Sequence, residues 1–488
     1  MTDAETMRSP RSAPAVPDRA AALWCCLGAG FATLLDSAAV AFTAPDVQST
    51  LGLANSAVQW YLASYSLTFG LGLAPAGRLG DAFGRRALFI AGLGLFLVGA
   101  VISAFAPGAW PLIAGRLVQG FGAGVISAQV LGVIQDVFTG AARLRALAAY
   151  TTAGALAAIA GPVLAGTALW ALPPDLGWRA VLVLPVPFTL ATVALGLRGL
   201  PRDVRGRRSI DLDLPGIATL GLLVVIVTIP VIDPGLPAPA VAAIVVASGL
   251  LVAGLVSWER AYARRGRLPL FAPPLMRSRG YVTGNVVALL WFGSLLAFTT
   301  VKTVYFLQVH KIPALVVALA LVPSAVARIF AARWGQRLFA VHGSVVVAYG
   351  LVVQTACMAV TAAMALILDG WTLFIALAAI QVVCGLTSGV VEPPLRAVTL
   401  AFAPSSLHGV AASFLQLTQR LSATFCIALT TGVLLAFDAT ASSAALGSAV
   451  LLCFAASASA AAAAFARAFR TGADAQPTGA PAVPTRAR

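Results

Sequence analysis

Charge is scarce in this chain of 488 residues: Asp, Glu, Lys and Arg together make up 10%, against about a quarter in an ordinary soluble domain. A folded aqueous surface needs far more, which excludes a soluble enzyme or soluble binding module. Histidine is nearly absent, with three residues; His310, His342 and His408 fall in loops or at the ends of apolar runs and join no Cys or carboxylate cluster. The six cysteines, Cys25, Cys26, Cys357, Cys384, Cys426 and Cys453, all lie in apolar segments without paired metal spacing and read as small packing residues. No metal site is therefore expected. Nor do a nucleophile, a base and an orienting group come together at the spacings enzymes use, so no catalytic residue and no cofactor are expected. Lysine is reduced to Lys302 and Lys311; the preference for arginine carries no functional meaning.

What the chain has in abundance is apolar length. Hydrophobic residues make up 60% and the mean hydropathy is +0.93. Apolar blocks recur from Ala20 to Phe465, each long enough to cross a bilayer of about 30 Å at about 1.5 Å per residue. Fourteen spans are predicted: 21–44, 57–76, 87–106, 111–135, 147–170, 179–197, 214–232, 239–258, 284–307, 313–332, 345–366, 372–392, 409–435 and 443–465. The first is too long for a cleaved signal peptide and is followed by thirteen more. With both termini cytoplasmic, the outer loops hold only Arg179 and Lys311, while most of the 32 basic residues lie on the cytoplasmic side. The net charge of +15 thus reports positive-inside loops such as 198–208 and 260–279, which suit anionic lipid, and no nucleic-acid partner is expected. Trp24, Trp60, Trp110, Trp170, Trp178, Trp258, Trp334 and Trp371 fall near span ends, as a headgroup-level belt requires. The ends, 1–19 and 467–488, are rich in Pro, Ala, Thr and Arg and read as disordered cytoplasmic tails.

The most specific string is GRLGDAFGRR, Gly77 to Arg86, between spans 2 and 3. It resembles the cytoplasmic loop signature of the major facilitator superfamily, in which glycines allow a tight turn and an aspartate and arginines tie neighbouring helix ends together. Gly77, Leu79, Asp81, Gly84, Arg85 and Arg86 match it; Ala82 replaces a usual basic residue. A degraded copy follows span 10, where Gln336, Arg337, Leu338 and Gly343 replace Gly77, Arg78, Leu79 and Gly84, and Ala340 stands where Asp81 would be. The resemblance and the duplication imply an all-α membrane protein of the major facilitator fold. Its organisation would be an N-terminal six-helix bundle (20–198), two additional spans with basic linkers (199–280) and a C-terminal six-helix bundle (281–466). Only the first copy keeps its carboxylate, so a charge-locked gate would be asymmetric.

Charges inside the spans are the candidates for function. Asp36 lies past the middle of span 1, where an ionised carboxylate costs about 2.5–3.5 kcal/mol unless it faces protein or water. Burial penalises the charged form of a carboxylate, which is what a proton-coupled carrier requires; a structural hydrogen-bond acceptor is the other reading. Arg116, Gln119 and Gly120 share one face of span 4 at i, i+3 and i+4. The run RLVQGFGAG resembles the superfamily's fourth-span signature, whose arginine is linked to proton transfer. Asp136, at the end of that span, matches an acidic position that bonds with the loop arginines, with helix capping as the alternative. Span 5 carries a small-residue stripe, Gly154, Ala158, Gly161 and Ala165, and Pro162 bends it. Gly161, Pro162 and Gly166 resemble the fifth-span signature of antiporters within the superfamily, although Ala165 stands where the family usually has glycine.

Further pieces resemble the fourteen-span drug:proton antiporter branch: Trp178, Arg179 and Pro187 opening span 6, Tyr305 to Gln308 ending span 9, and Pro323 in span 10. Pro185 departs from the branch's usual asparagine. Lys302 is placed to snorkel to the interface, Arg420 to pair with a carboxylate or an anionic substrate group, and Glu392 to pair with Arg396. Tyr65, Trp291, Phe298 and Tyr305 are candidates for a substrate cavity between the bundles, with helix packing as the competing reading and the favoured one for Trp291.

The expected function is export of amphipathic small molecules, such as drugs, antibiotics or a natural product, by a monomeric carrier in a bacterial inner membrane. The proton gradient would drive it through Asp36 and Arg116, with Asp81, Arg85 and Arg86 at the cytoplasmic gate. Import of an organic solute on the same fold, or a non-transporting membrane sensor, are the rivals.

Overall fold

The computed structural model describes residues 19–200, 213–232, 236–267, 269–404, 408–436 and 442–466; a few side chains within helices, those of Arg78, Asp81 and His408 among them, are also outside the described set. The expected tails and the basic linker 201–212 fall outside it. The described chain is helical: α1 Arg19–Ala39, α2 Ala44–Leu51, α3 Asn55–Phe83, α4 Arg85–Ala104, α5 Ala109–Val137, α6 Gly140–Ala171, α7 Pro174–Val183, α8 Val186–Gly199, α9 Leu214–Ile232, α10 Ala238–Arg264, α11 Pro273–Arg277, α12 Arg279–Gln308, α13 Ala314–His342, α14 Val345–Ile367, α15 Gly370–Ala401, α16 His408–Ala436 and α17 Ser442–Ala464.

Among the described residues, eleven helical runs are long and apolar enough to cross a membrane, α1 with α2 and α7 with α8 each making one. Helices α3, α9 and α16 occupy the other three predicted spans; the described part of α9, Leu214–Pro230, is a shorter apolar helix. Both α3 and α16 carry polar side chains inside the span, Gln59, Ser64, Ser66 and Thr68 on the one, and Gln416, Thr418, Gln419 and Arg420 on the other. These two helices pack against each other across the two halves of the molecule, where polar side chains need not face lipid.

Three expected elements differ in shape. Span 1 does not stop at residue 44; after α1 it tightens into a 3-10 turn at Val40–Thr43 and continues as α2 to Leu51. Span 6 is broken into α7 and α8, because Pro185 and Pro187 remove two amide donors within a single turn. The glycine-rich signature is mostly not a loop: Gly77 to Phe83 form the last turns of α3, and the reversal is made at Gly84 alone, with φ of 102°. Only a residue without Cβ adopts that conformation without strain. At Gly77 the space a Cβ would take is open, so this conformation does not require glycine there. The degraded copy repeats the design: α13 runs to His342 and Gly343 turns the chain at φ of 65°.

Helices α1–α8 form one packed half and α12–α17 the other, with α9 and α10 pairing as a hairpin against α3 and α16. On the face opposite the basic loops, one apolar core runs through both halves and includes Tyr61, Trp178, Phe298, Tyr305 and Leu446. Cores nearer the basic face stay on one side, around Phe89 and Phe96 in the first half and around Trp291 and Leu395 in the second. Gln308 Nε2 also donates to Gln48 Oε1 at 2.9 Å on the sealed face, bridging α12 and α2.

The hairpin is anchored by two buried carboxylates, Asp213 and Glu259, the latter accepting from the Phe271 amide at 2.9 Å. Asp213, at φ of 46°, accepts from Trp258 Nε1 at 2.7 Å, from the Gly216 amide at 3.2 Å and from the Leu270 amide at 3.1 Å. Trp258 is thus held by a protein acceptor; Trp178 is fully buried and does not belong to a headgroup belt, whereas Trp24, Trp110, Trp170, Trp334 and Trp371 are exposed.

Candidate functional site

Asp36, Arg116 and Gln119 meet in the interior of the first half. Arg116 Nη1 donates to Asp36 Oδ1 at 2.9 Å and Oδ2 at 2.8 Å, and to Gln119 Oε1 at 2.8 Å. Gln119 Nε2 donates to Asp36 Oδ1 at 3.1 Å, closing the triangle. Arg116 is 0% and Asp36 2% exposed, so each charge depends on the other for compensation. The guanidinium also lies 4.5 Å from the Tyr65 ring centroid and 5.9 Å from that of Tyr61. Tyr61 shares a hydrogen bond of 2.6 Å with Thr43, and Tyr65 donates to the Thr33 carbonyl at 3.2 Å, which fixes both rings. Nε and Nη2 of Arg116 have no acceptor among the described residues. The site therefore holds a neutral ion pair and two unused buried donors.

Close backbone packing sets this geometry. A Cβ on Gly120 would stand 2.3 Å from the Tyr65 carbonyl, so α5 lies directly on α3. The fifth-span glycines divide their contacts: Cβ atoms at Gly154 and Gly161 would strike Leu34 and Ala38 of α1, whereas one at Gly166 would stand 2.7 Å from Leu315 Cα of α13. The helix bent at Pro162 thus packs beside Asp36 at one level and against the other half at another.

On the basic face, Arg85 Nε bonds Asp136 Oδ2 at 2.6 Å, joining the start of α4 to the end of α5. Arg86 donates to the Leu197 carbonyl at the end of α8. Both ties are within one half. The side chain of Asp81 lies outside the described residues. The second half has its own network, in which Glu392 meets Arg396 at 3.1 Å and Arg328 of α13 at 4.0 Å. Arg179 stacks over Trp178 at 4.2 Å and donates to the Ala104 carbonyl at 2.6 Å, fastening α7 to the end of α4.

One expectation about the membrane charges needs correction, and one of the two alternatives for Arg420 is not met. Lys302 does not snorkel: it is 6% exposed, bonds Gln381 Oε1 and lies 3.7 Å from the Phe298 ring centroid. Its azimuth on α12 points it into the second half, which sequence position does not reveal. Arg420 meets no carboxylate among the described residues; it lies over Phe69 at 4.0 Å and near Phe292 at 5.7 Å.

Of the expected cavity aromatics, Tyr65, Trp291, Phe298 and Tyr305 are all buried among packed helices. An apolar cavity of about 550 Å³ lies elsewhere, between α9, α12, α16 and α17, lined by Leu223, Leu289, Phe414, Leu421 and Phe425 among others. Residues not singled out in the sequence but placed at these sites are Tyr61, Thr43, Phe69, Gln381 and Arg328. Polar side chains inside apolar spans were the available signal for Thr43 and Gln381; Phe69 carried none.

A family model described as Major Facilitator Superfamily matches residues 26–425. Among curated relatives, the probable actinorhodin transporter of Streptomyces coelicolor is 32% identical over 282 residues, 57% of this chain and 48% of that protein. The cephamycin export protein CmcT of Amycolatopsis lactamdurans is 32% identical over 267 residues, 54% of each chain. The chain thus spans about half the length of these relatives. Among solved structures, a D-xylose-proton symporter superposes with a TM-score of 0.63 at 15% identity, covering 91% of this chain and 96% of that one, a likeness of fold.

Proposed function

The chain belongs to the Major Facilitator Superfamily, and from that premise we propose that it is a proton-coupled antiporter exporting amphipathic small molecules by alternating access. The observation that carries this reading is the buried Asp36–Arg116–Gln119 triangle. A proton arriving on Asp36 removes the charge that compensates Arg116, and the loss of one partner of a buried pair costs about 3–5 kcal/mol. The loaded and unloaded states therefore favour different surroundings for the guanidinium, which is the differential interaction that an alternating carrier needs. Gly161 packs on α1 beside this pair and Gly166 on the opposite half, so a change at Asp36 has a short route to the seam.

In this reading the protein is a multi-pass component of a bacterial inner membrane with fourteen spans and both termini cytoplasmic. Six spans form each bundle, with α9 and α10 inserted between them. It acts as a monomer on a small-molecule substrate, protons are its only co-substrate, and no cofactor, metal or nucleic acid takes part. With the basic loops cytoplasmic, the apolar seal shared by both halves lies outside and the conformation is inward-facing. The Arg85–Asp136 tie belongs to the cytoplasmic gate, with Asp81 as its third member.

Export is supported by the antiporter-like Gly161, Pro162 and Gly166 and by relatives named for export and actinorhodin transport. The alternative, proton-coupled uptake, is favoured by the likeness to a sugar-proton symporter, which shares the fold without fixing direction. Quenching of a pH-sensitive dye in inverted vesicles decides between them: an exporter releases lumenal protons when substrate is added outside. An importer raises substrate accumulation in intact cells, and an exporter lowers it.

A further inference from the structure

Among the described residues, each charge inside the first half and the central second half has a polar partner except one. Arg116 has Asp36, Lys302 has Gln381, and Glu392 is taken by Arg396 and Arg328. Arg420, midway along α16 and half-buried, forms no ion pair among the described residues. Its guanidinium rests between rings from opposite halves, Phe69 of α3 at 4.0 Å and Phe292 of α12 at 5.7 Å. Gly70 admits this approach, since a Cβ there would stand 3.3 Å from Arg420 Cβ. One turn earlier on α16, Gln416 meets Ser127 of the first half at 3.5 Å, so Arg420 belongs to the seam.

The magnitudes leave a deficit. An arginine at mid-span costs about 2.5–3.5 kcal/mol on insertion scales, and a cation over a ring returns about 0.5–2 kcal/mol. A fixed anion would close the gap, but Glu392, whose charge reaches Arg420 from beyond ion-pair distance, is already bound by Arg396 and Arg328. A guanidinium fork donates two parallel hydrogen bonds to a carboxylate, and the flanking rings present flat apolar surface beside it.

A column of contacts joins this site to the ion pair. Phe69 lies 5.9 Å from Tyr65 by ring centroids, Tyr65 carries Arg116 at 4.5 Å, and Arg116 holds Asp36 at 2.8 Å. Cation, ring, ring, cation and carboxylate thus follow one another from the seam to the interior.

We propose that Arg420 is an anion-recognition residue of the transport path, selecting planar aromatic substrates that carry a carboxylate, and that Phe69 and Tyr65 link its occupancy to the Asp36–Arg116 pair. This rests on the transport reading above and names its substrate class. When the substrate anion engages the fork, the guanidinium leaves the Phe69 face, and the column that supports Arg116 loses its outer end.

The test uses the purified full-length protein and three probes with one ring system: 9-anthracenecarboxylate, 9-anthracenemethanol and 9-(aminomethyl)anthracene. The expected result is that wild type binds the carboxylate better than the alcohol by about tenfold, the factor set by a charge-assisted hydrogen bond. Arg420→Gln should abolish that ratio, and Arg420→Lys, which keeps the charge and loses the fork, should reduce it. Phe69→Leu provides a variant that leaves the charge in place and should shift the ratio while the protein still elutes as a folded species. A wild type without preference for the carboxylate, or an unchanged ratio in Arg420→Gln, overturns the proposal. Binding in detergent needs no proton coupling, so its failure is separate from a failure of probe-driven proton release in vesicles, which bears on antiport.

Discussion

Cutting one side of the Asp36–Arg116 pair gives the most direct measurement of what the pair contributes. Asp36→Asn leaves the Arg116 guanidinium, 0% exposed, without its anion, and Arg116→Gln leaves the carboxylate without its cation. Each single change is expected to destabilise the protein by about 3–5 kcal/mol, the cost of an uncompensated buried charge. The double variant Asp36→Asn/Arg116→Gln removes both charges and keeps two amide side chains able to bond each other and Gln119. Its stability should return close to wild type, giving a coupling of about 6–10 kcal/mol in the cycle, the sum of the two single losses. Denaturant unfolding in detergent micelles, followed by tryptophan fluorescence, reads the three differences. The same variants in inverted vesicles separate stability from coupling, because the refolded double variant should still fail to release protons when substrate is added. Single variants as stable as wild type would show that the charges are not dependent on each other. A double variant that retains proton release would remove Asp36 from the coupling step.

Three further outcomes follow from the packing. Gly166→Leu places a large side chain where Leu315 Cα lies 2.7 Å from a Cβ position; the two halves should be held apart on the sealed face, seen as increased labelling of a cysteine introduced at Gln48 and loss of transport. Gly84→Ala puts a Cβ at φ of 102°, with strain of about 1–3 kcal/mol; the Arg85–Asp136 tie at 2.6 Å should loosen, and limited proteolysis between α3 and α4 should rise. Asp213→Ala removes the acceptor for Trp258 Nε1 and two amides, each buried donor left alone costing about 1–3 kcal/mol. A red shift of tryptophan emission and earlier cleavage near residue 270 are expected, with neither seen if the hairpin is held by α3 and α16 alone.

The glycine-rich signature illustrates how far a motif can be read. Its residues identified the fold, yet its shape as a loop was wrong: helix α3 continues through Gly77 and Asp81, and only Gly84 needs its special conformation. Glycine lowers helix propensity by about 1 kcal/mol, which favours reading a loop. Packing overrode it. Gly80 presses on Gln129 of α5, with Gln129 Nε2 held by the Ala76 carbonyl at 2.6 Å, so the extra turns of α3 are stabilised by a neighbouring helix.

Composition and periodicity by themselves determined that this chain is an all-helical membrane protein, which residues could enter the membrane only with partners, and that Arg116, Gln119 and Gly120 share a face. Those properties depend on the medium and on the 3.6-residue repeat, both local. The tertiary structure alone decided which partners those residues have. Asp36 and Arg116 are 80 positions apart, and Phe69 meets Arg420 from the other half. It also turned Lys302 inward to Gln381. A helix's own sequence fixes the relative angles of its side chains but not its rotation and depth against its neighbours, and those two quantities, set by glycine-lined contacts between helices, build the site.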